Sequence, residues 1–231
     1  MTELTSYVRR YTTISAVIDI LQRKELPLLD PQTWDDRNDR YFMDLYKQSR
    51  KLGGLYGLCA ARCSETYHHW RVFTGNSDGA CIEMDRAKLE AALAEMDGVR
   101  YGEVDYLKLA KVERLTPTDV ARLPFLKREG FAAEKEYRII AETAEGQAPA
   151  LPIEFPVSMI NRIHLNPWLP KALADSLRKT LRSIPGCESL SITRSLLIDS
   201  GRWKSAGDTV VGRKAPKKLV LKRKPTSAGK A

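Results

Sequence analysis

The stretch Gly130–Ile140, GFAAEKEYRII, decides how the rest of the chain is read. From Glu136 to Ala141 its aromatic and paired isoleucines predict a strand. Glu134 and Glu136 stand two apart where that strand begins. In an extended chain residues i and i+2 share a face, so the two carboxylates are expected to project into one site. A Glu-Lys-Glu run on its own is more often a solvated surface, so its meaning depends on its company.

Towards the N-terminus, Tyr7 to Thr12 reads as a short strand, and Ile14, Val17, Ile18 and Leu21 then recur at helical spacing. A polar loop with Trp34, Asp35, Asp36 and Asp39 leads to a second helical stripe of Phe42, Leu45, Tyr46 and Leu52, closed by Gly53 and Gly54. Apolar runs at Leu55–Cys63 and Gly79–Met84 predict further strands. Asp85 is expected to cap a helix running to Met96, Val99–Leu107 to be one strand, and Thr118 to cap a short helix. Beyond the deciding stretch, strands are expected near Leu151–Phe155 and Arg162–Leu165, then a helix with Leu173, Leu177 and Leu181 on its buried face, and a closing segment at Leu190–Leu197. This alternation makes a mixed α+β body.

The net charge of +9 is unevenly placed: Arg202–Ala231 holds ten Lys or Arg and one Asp, so the body through Gly201 is neutral as a whole. The division expected is a globular domain over residues 1–201 and a flexible basic tail over 202–231, because GRKAPKKLVLKRKPTSAGKA has too few apolar residues to offset the entropy of ordering. With no long apolar run and no signal-peptide pattern at MTELTSYVRRY, a cytoplasmic protein is expected. P-loop, G-x-G-x-x-G and G-x-S-x-G motifs are all missing from the sequence, which removes the main support for P-loop, Rossmann and serine-hydrolase readings.

No metal is expected. Cys59 and Cys63 on one strand would lie about 13 Å apart, whereas zinc holds each sulfur at about 2.3 Å, and His68 and His69 are placed in the loop that follows. Asp35, Asp36 and Asp39 could hold a divalent cation, although turn formation and helix capping are the commoner use of such aspartates.

The company of Glu136 is an order of residues. Arg10 lies on the first strand in VRRYT, Ser64 follows a later strand in LCAARCSET, and the E-x-E of Glu134 and Glu136 comes third. This order resembles the R-S-E pattern of ADP-ribosyltransferases. The resemblance implies a mixed, mainly antiparallel central sheet flanked by helices, with NAD as substrate. It also implies that Arg10 contacts the NAD phosphates or ribose, that Ser64 supports the cofactor and the glutamate, and that Glu136 is catalytic with Glu134 nearer the acceptor. Physically, loss of nicotinamide leaves an oxocarbenium-like ribose that a carboxylate stabilises, and an arginine fork suits a pyrophosphate. Arg10, Thr12, Ser64, Trp70 and Phe73 are the candidates to contact NAD, with core packing the equal alternative for Trp70 and Phe73. Arg138 is expected to ion-pair with a neighbouring acid.

The chain also resembles a large uncharacterised family of bacterial and phage proteins. The carrying motifs are RRYT (Arg9–Thr12), WDDRND (Trp34–Asp39), HWRVFTGNSDGACIEMD (His69–Asp85) and EKEYR (Glu134–Arg138); the acidic loop departs from that family's pattern at Asp35 and Arg37. Two functions therefore compete. One is a transferase acting on a protein or nucleic-acid acceptor. The other is a non-catalytic phage-type protein that inhibits a host factor. Convergence of Arg10, Ser64 and Glu136 separates them.

Under either function the tail is expected to contact polyanions through Arg213, Lys214, Lys217, Lys218, Lys222, Arg223 and Lys224. Truncation after Gly201 should leave a folded body while salt-sensitive binding of DNA and RNA nearly vanishes in a low-salt titration. Equal binding with an equal salt slope would move the binding surface to the body.

Overall fold

A computed structural model describes residues 6–75, 77–146 and 148–213. The chain opens with β1 (Tyr7–Thr13), α1 (Ile14–Arg23), β2 (Glu25–Leu29), α2 (Arg37–Arg50), β3 (Gly54–Ala61), α3 (Tyr67–Phe73), β4 (Gly79–Asp85) and α4 (Arg86–Ala94). It continues through β5 (Val99–Glu103), β6 (Asp105–Leu107), α5 (Leu109–Val112), β7 (Leu126–Arg128), β8 (Glu136–Thr143), β9 (Ala150–Glu154), β10 (Ile160–Leu165), α6 (Lys171–Arg182) and β11 (Ile192–Arg194). Short 3-10 turns at Pro117–Phe125 and Glu129–Glu134 flank β7. These elements belong to a compact unit ending at Leu197, and a second unit starts at Ile198.

Nine strands form one sheet in the order β11-β10-β4-β1-β3-β2-β9, with β8 joined to β3 and β5 to β8. Every pairing in it is antiparallel except β10 with β11, so the expected mixed, mainly antiparallel α+β architecture is the one observed. β3 is the branch point. One of its edges pairs with β8 from Gly54 to Ala61. The other edge is divided, meeting β1 through Arg9↔Ala61 and β2 through Leu29↔Gly57. Between those contacts lies Cys59, whose carbonyl oxygen accepts a hydrogen bond from Arg10 Nη1 at 2.8 Å. A side chain thus closes the fork in the sheet.

β8 is buried on both faces, which explains why it reads as nearly continuous apolar sequence. Tyr137, Ile139 and Ala141 join the main core with Val17, Ile20 and Leu21 of α1. Ile140, on the opposite face, packs with Met43 and Tyr46 of α2 and with Leu55. α1 begins where Thr13 accepts from Ala16 N, and α2 where Asp36 accepts from Asn38 N.

Several expectations change. The strand expected over Val99–Leu107 breaks at Val104, whose N–H turns to the Glu136 carbonyl at 3.0 Å; β6 then leaves the sheet to pair in parallel with β7. Thr116, not Thr118, starts the 3-10 turn, because Asp119 Oδ2 accepts the Thr116 N–H and Pro117 fixes the first turn. His68 and His69 lie in α3, capped by Thr66, and not in a loop. On α6 Leu181 and Ala174 face the core while Leu173 is exposed. Eight residues advance a helix about 80° past two full turns, so Leu173 and Leu181 cannot share a narrow face. In the second unit, α7 (Gly201–Val210) replaces flexible chain: Ser200 Oγ accepts from Trp203 N, and Lys204 pairs with Asp199.

Gly57 has one steric reason to lack a side chain. A Cβ there would stand 2.6 Å from Cζ2 of Trp34, whose indole lies against β3. Gly57→Ala should lower stability by about 1–3 kcal/mol, measured by urea denaturation; an unchanged midpoint would show that Trp34 moves freely.

Candidate functional site

The side chain of Arg138 points to the α2 side of β8 and has no solvent exposure. Its Nε donates to Glu136 Oε1 at 2.7 Å, and its two terminal nitrogens donate to Asp39 Oδ1 and Oδ2 at 2.9 and 2.8 Å. Nη1 also reaches the Pro124 carbonyl at 2.7 Å, and Trp34 covers the guanidinium at 4.8 Å. This is the ion pairing expected of Arg138, made with two acids from separate elements. Asp39 is accordingly a residue of the first turn of α2 and not of a cation-binding loop.

Glu134 and Glu136 do converge, but not along an extended chain. Glu134 ends a 3-10 turn and Lys135 has φ 48°, a left-handed conformation. The carboxylates meet because both accept from Lys127 Nζ, at 2.6 Å for Glu134 Oε2 and 3.1 Å for Glu136 Oε2. The turn is held by backbone and side-chain bonds: His69 Nε2 donates to the Glu134 carbonyl at 2.8 Å, and Glu136 N donates to Tyr106 Oη at 2.8 Å. Burial opposes charge on Glu136, but Arg138 and then Lys127 outweigh it and hold the carboxyl at about 2. Burial pushes Glu134 upward, with Lys127 opposing.

This carboxylate pair borders a cavity of about 370 Å³ at the fork in the sheet. Arg10 and Arg9 line it from β1. Burial weakens the hold of Arg10 on its proton, while Cys59 and Glu136 favour its charge; an arginine stays protonated in either case. Aromatic rings line the cavity as well: Tyr11 stacks on His69 at 5.2 Å, and Phe73 tilts against His69 at 5.6 Å. Burial lowers the pKa of His69, whose Nε2–H is donated and whose Nδ1 takes the Thr66 hydroxyl at 2.5 Å, so the ring is neutral. A neighbouring cavity of about 600 Å³ shares Asp36, Asp39 and Lys127 with the first.

Arg9 shares a face of β1 with Tyr11, opposite Arg10. Arg9 Nη2 donates to Glu83 Oε2 at 2.5 Å and Nη1 to the Cys63 carbonyl at 2.7 Å. Burial opposes charge on Glu83, yet His164, Arg9 and Asn161 together hold it at about 2. Trp70 is buried, donating Nε1–H to Glu65 Oε1 at 2.9 Å, and Glu65 also accepts from Ser195.

Among the sequence candidates, Arg10, Glu134, Glu136 and Phe73 line the smaller cavity. Ser64 is exposed beyond β3, and neither Ser64 nor Thr12 is among the lining residues. Trp70 takes the core role. Tyr11, His69, Trp34, Phe131 and Lys127 also line the smaller cavity and are not among those candidates. Tyr11 had a signal, standing in RRYT, whereas Lys127 had none, since FLKREG reads as charged surface. Arg213 is exposed, and Lys214, Lys217, Lys218, Lys222, Arg223 and Lys224 lie outside the described residues. Among the described residues no group of three or more His, Cys, Asp or Glu is placed to hold a metal, and no helix is long and apolar enough to cross a membrane.

No family model matches the chain, and no curated protein does; the resemblance to the uncharacterised family rests on its motifs alone. Among solved structures, the chain is similar to DarT of Thermus sp. 2.9 in complex with ADP-ribosylated ssDNA, at 12% identity over 84% of this chain and 96% of that one, with a TM-score of 0.45. It is also similar to the same protein in complex with NAD+, at 11% identity over 84% of this chain and 98% of that one, with a TM-score of 0.44. Likeness at this level assigns no activity to the chain.

The buried ion cluster sets two expectations. Arg138→Met deprives Asp39 and Glu136 of the guanidinium they share, leaving Lys127 against both and Arg10 near Glu136, and should cost about 3–5 kcal/mol. Glu136 titrates at about 2 in the fold against 4.5 ordinarily, so its stabilisation is complete above 4.5 and is lost as pH falls from there towards 2. Urea denaturation across the acid range should show that slope in the wild type and a weaker one in Arg138→Met; parallel curves would remove Arg138 as its cause.

Proposed function

We propose that this chain is an ADP-ribosyltransferase that consumes NAD and transfers ADP-ribose to a macromolecular acceptor, a protein or a nucleic acid. The observation that carries the reading is the meeting of an ionised Glu136, Glu134 and Arg10 at one cavity with an aromatic wall. The exposed Phe73 ring, backed by the buried His69 and Tyr11, offers a face for the nicotinamide ring. Arg10 spends one N–H on Cys59 and keeps others for the pyrophosphate. As the bond between ribose C1′ and the nicotinamide nitrogen breaks, its electron pair leaves with nicotinamide. Positive charge then builds on the ribose, where Glu136 accepts a hydroxyl hydrogen bond and stabilises that charge. A fixed anion serves this better than a mobile one, and Arg138 fixes Glu136. Lone-pair attack by the acceptor closes the new bond to C1′, and Glu134 takes the acceptor's proton.

The exposed position of Ser64 outside the cavity favours the competing reading of a non-catalytic protein that inhibits a host factor. Nicotinamide release from NAD by the purified protein decides between them. Glu136→Gln should lower that release by 10² to 10³, about 3 to 4 kcal/mol, with the fold retained by circular dichroism. Arg10→Ala should raise KM for NAD more than it lowers stability. Arg9 cannot serve as its inert control, because it too lines the cavity; the exposed Arg23 can. Wild-type turnover in Glu136→Gln would end the transferase reading.

A further inference from the structure

Among the described residues Lys127 is the one cation in contact with both glutamates, and the chemistry above gives it no part. Its ammonium is nearly buried, capped by the Phe131 ring at 4.9 Å, and stands 3.7 Å from Asp39 Oδ2 as well. The two glutamates depend on it unequally. Glu136 has Arg138 and the Cys59 thiol besides, with Arg10 close enough to support its charge. Glu134 has, among the described residues, Lys127 as the one side chain bonded to its carboxylate, while Glu136 and Asp39 repel it. Without that nitrogen Glu134 loses its bonded cation while Glu136 and Asp39 still repel its charge, so its carboxyl takes a proton more readily, and a protonated carboxyl is no base.

We propose that Lys127 is a positioning residue that keeps Glu134 ionised beside Glu136, so that one carboxylate faces the ribose while the other is free to act as base for the acceptor. This rests on the transferase reading. In the transfer, the bond from C1′ to the nicotinamide nitrogen breaks with its electron pair going to nicotinamide, and the acceptor's oxygen or nitrogen bonds to C1′. The acceptor's proton moves to Glu134 and from there to water. Lys127 touches none of the reacting atoms.

The first test needs the protein alone. Carboxyl carbon NMR titration should find both glutamates ionised at neutral pH in the wild type, and in Lys127→Met one of them should gain its proton at least about one pH unit higher. Superimposable curves, or a wild-type Glu134 already protonated at neutral pH, overturn the proposal, and the latter needs no variant to fold. The second test is kinetic. In Lys127→Met, kcat for transfer should fall about 10²-fold or more, KM for NAD should stay within about twofold, and the acid limb of the rate profile should move to higher pH. Lys127→Arg should restore all three. An unchanged kcat and profile overturn this role alone, whereas a wild-type protein that releases no nicotinamide removes the transferase reading and this role with it.

Discussion

A guanidinium without solvent exposure must satisfy its N–H groups inside the protein, and at Arg138 that requirement organises the molecule around it. Asp39 answers it from α2, Pro124 from the turn before β7, and Glu136 from β8 itself. Trp34 covers its face, and Gly57 leaves the room that the indole needs against β3. Two stretches distant in sequence, residues 34–39 and the turn at Pro124, are thereby fixed to one strand. Breaking one of these contacts would leave a buried charge short of partners, which is why they hold as a set.

The cavity exists because the sheet forks. β3 gives one full edge to β8 and divides the other between β1 and β2, and the gap is spanned by the guanidinium of Arg10 instead of a strand. Unpaired backbone at such a fork invites polar side chains, and the polar end of the cavity is where Arg10, Glu136 and Lys127 gather. The apolar end is built by α3. There Trp70 is tied to Glu65, and His69 spends both nitrogens on Thr66 and Glu134, which leaves a neutral ring to stack with Tyr11 and Phe73. Cationic and carboxylate groups thus meet packed aromatic rings at one cavity.

Charge balance ties these ends together. Asp39, Glu134 and Glu136 are matched by Lys127, Arg138 and Arg10 within one buried neighbourhood. Such a cluster contributes little net stability compared with apolar packing of the same volume, so its use lies in the fixed field it makes. Glu136 held at about 2 is an anion throughout the neutral range, with its orientation set by Arg138 before any substrate arrives.

Local chemistry alone settled much of this. Thr13 before the Ile14, Val17 and Leu21 stripe, Asp85 before α4, and the run from Glu136 to Ala141 each state their structure within a few residues, because capping and side-chain periodicity are short-range effects. The pairing of Glu134 with Glu136 was legible for the same reason, although its geometry came from a left-handed Lys135 that spacing does not reveal. Even α7 turned on a local cap, Ser200, that low apolar content obscured. What tertiary structure decided was every partner far along the chain. It turned Asp39 from a loop aspartate into the counter-ion of Arg138, sent Trp70 to the core and Phe73 to the cavity, left Ser64 outside, and brought Lys127 of an ordinary charged run between two glutamates. A sequence lists charges without their distances. Whether a lysine is solvated surface or the cation of a buried site depends on which strands enclose it, and that is set by packing across the whole sheet.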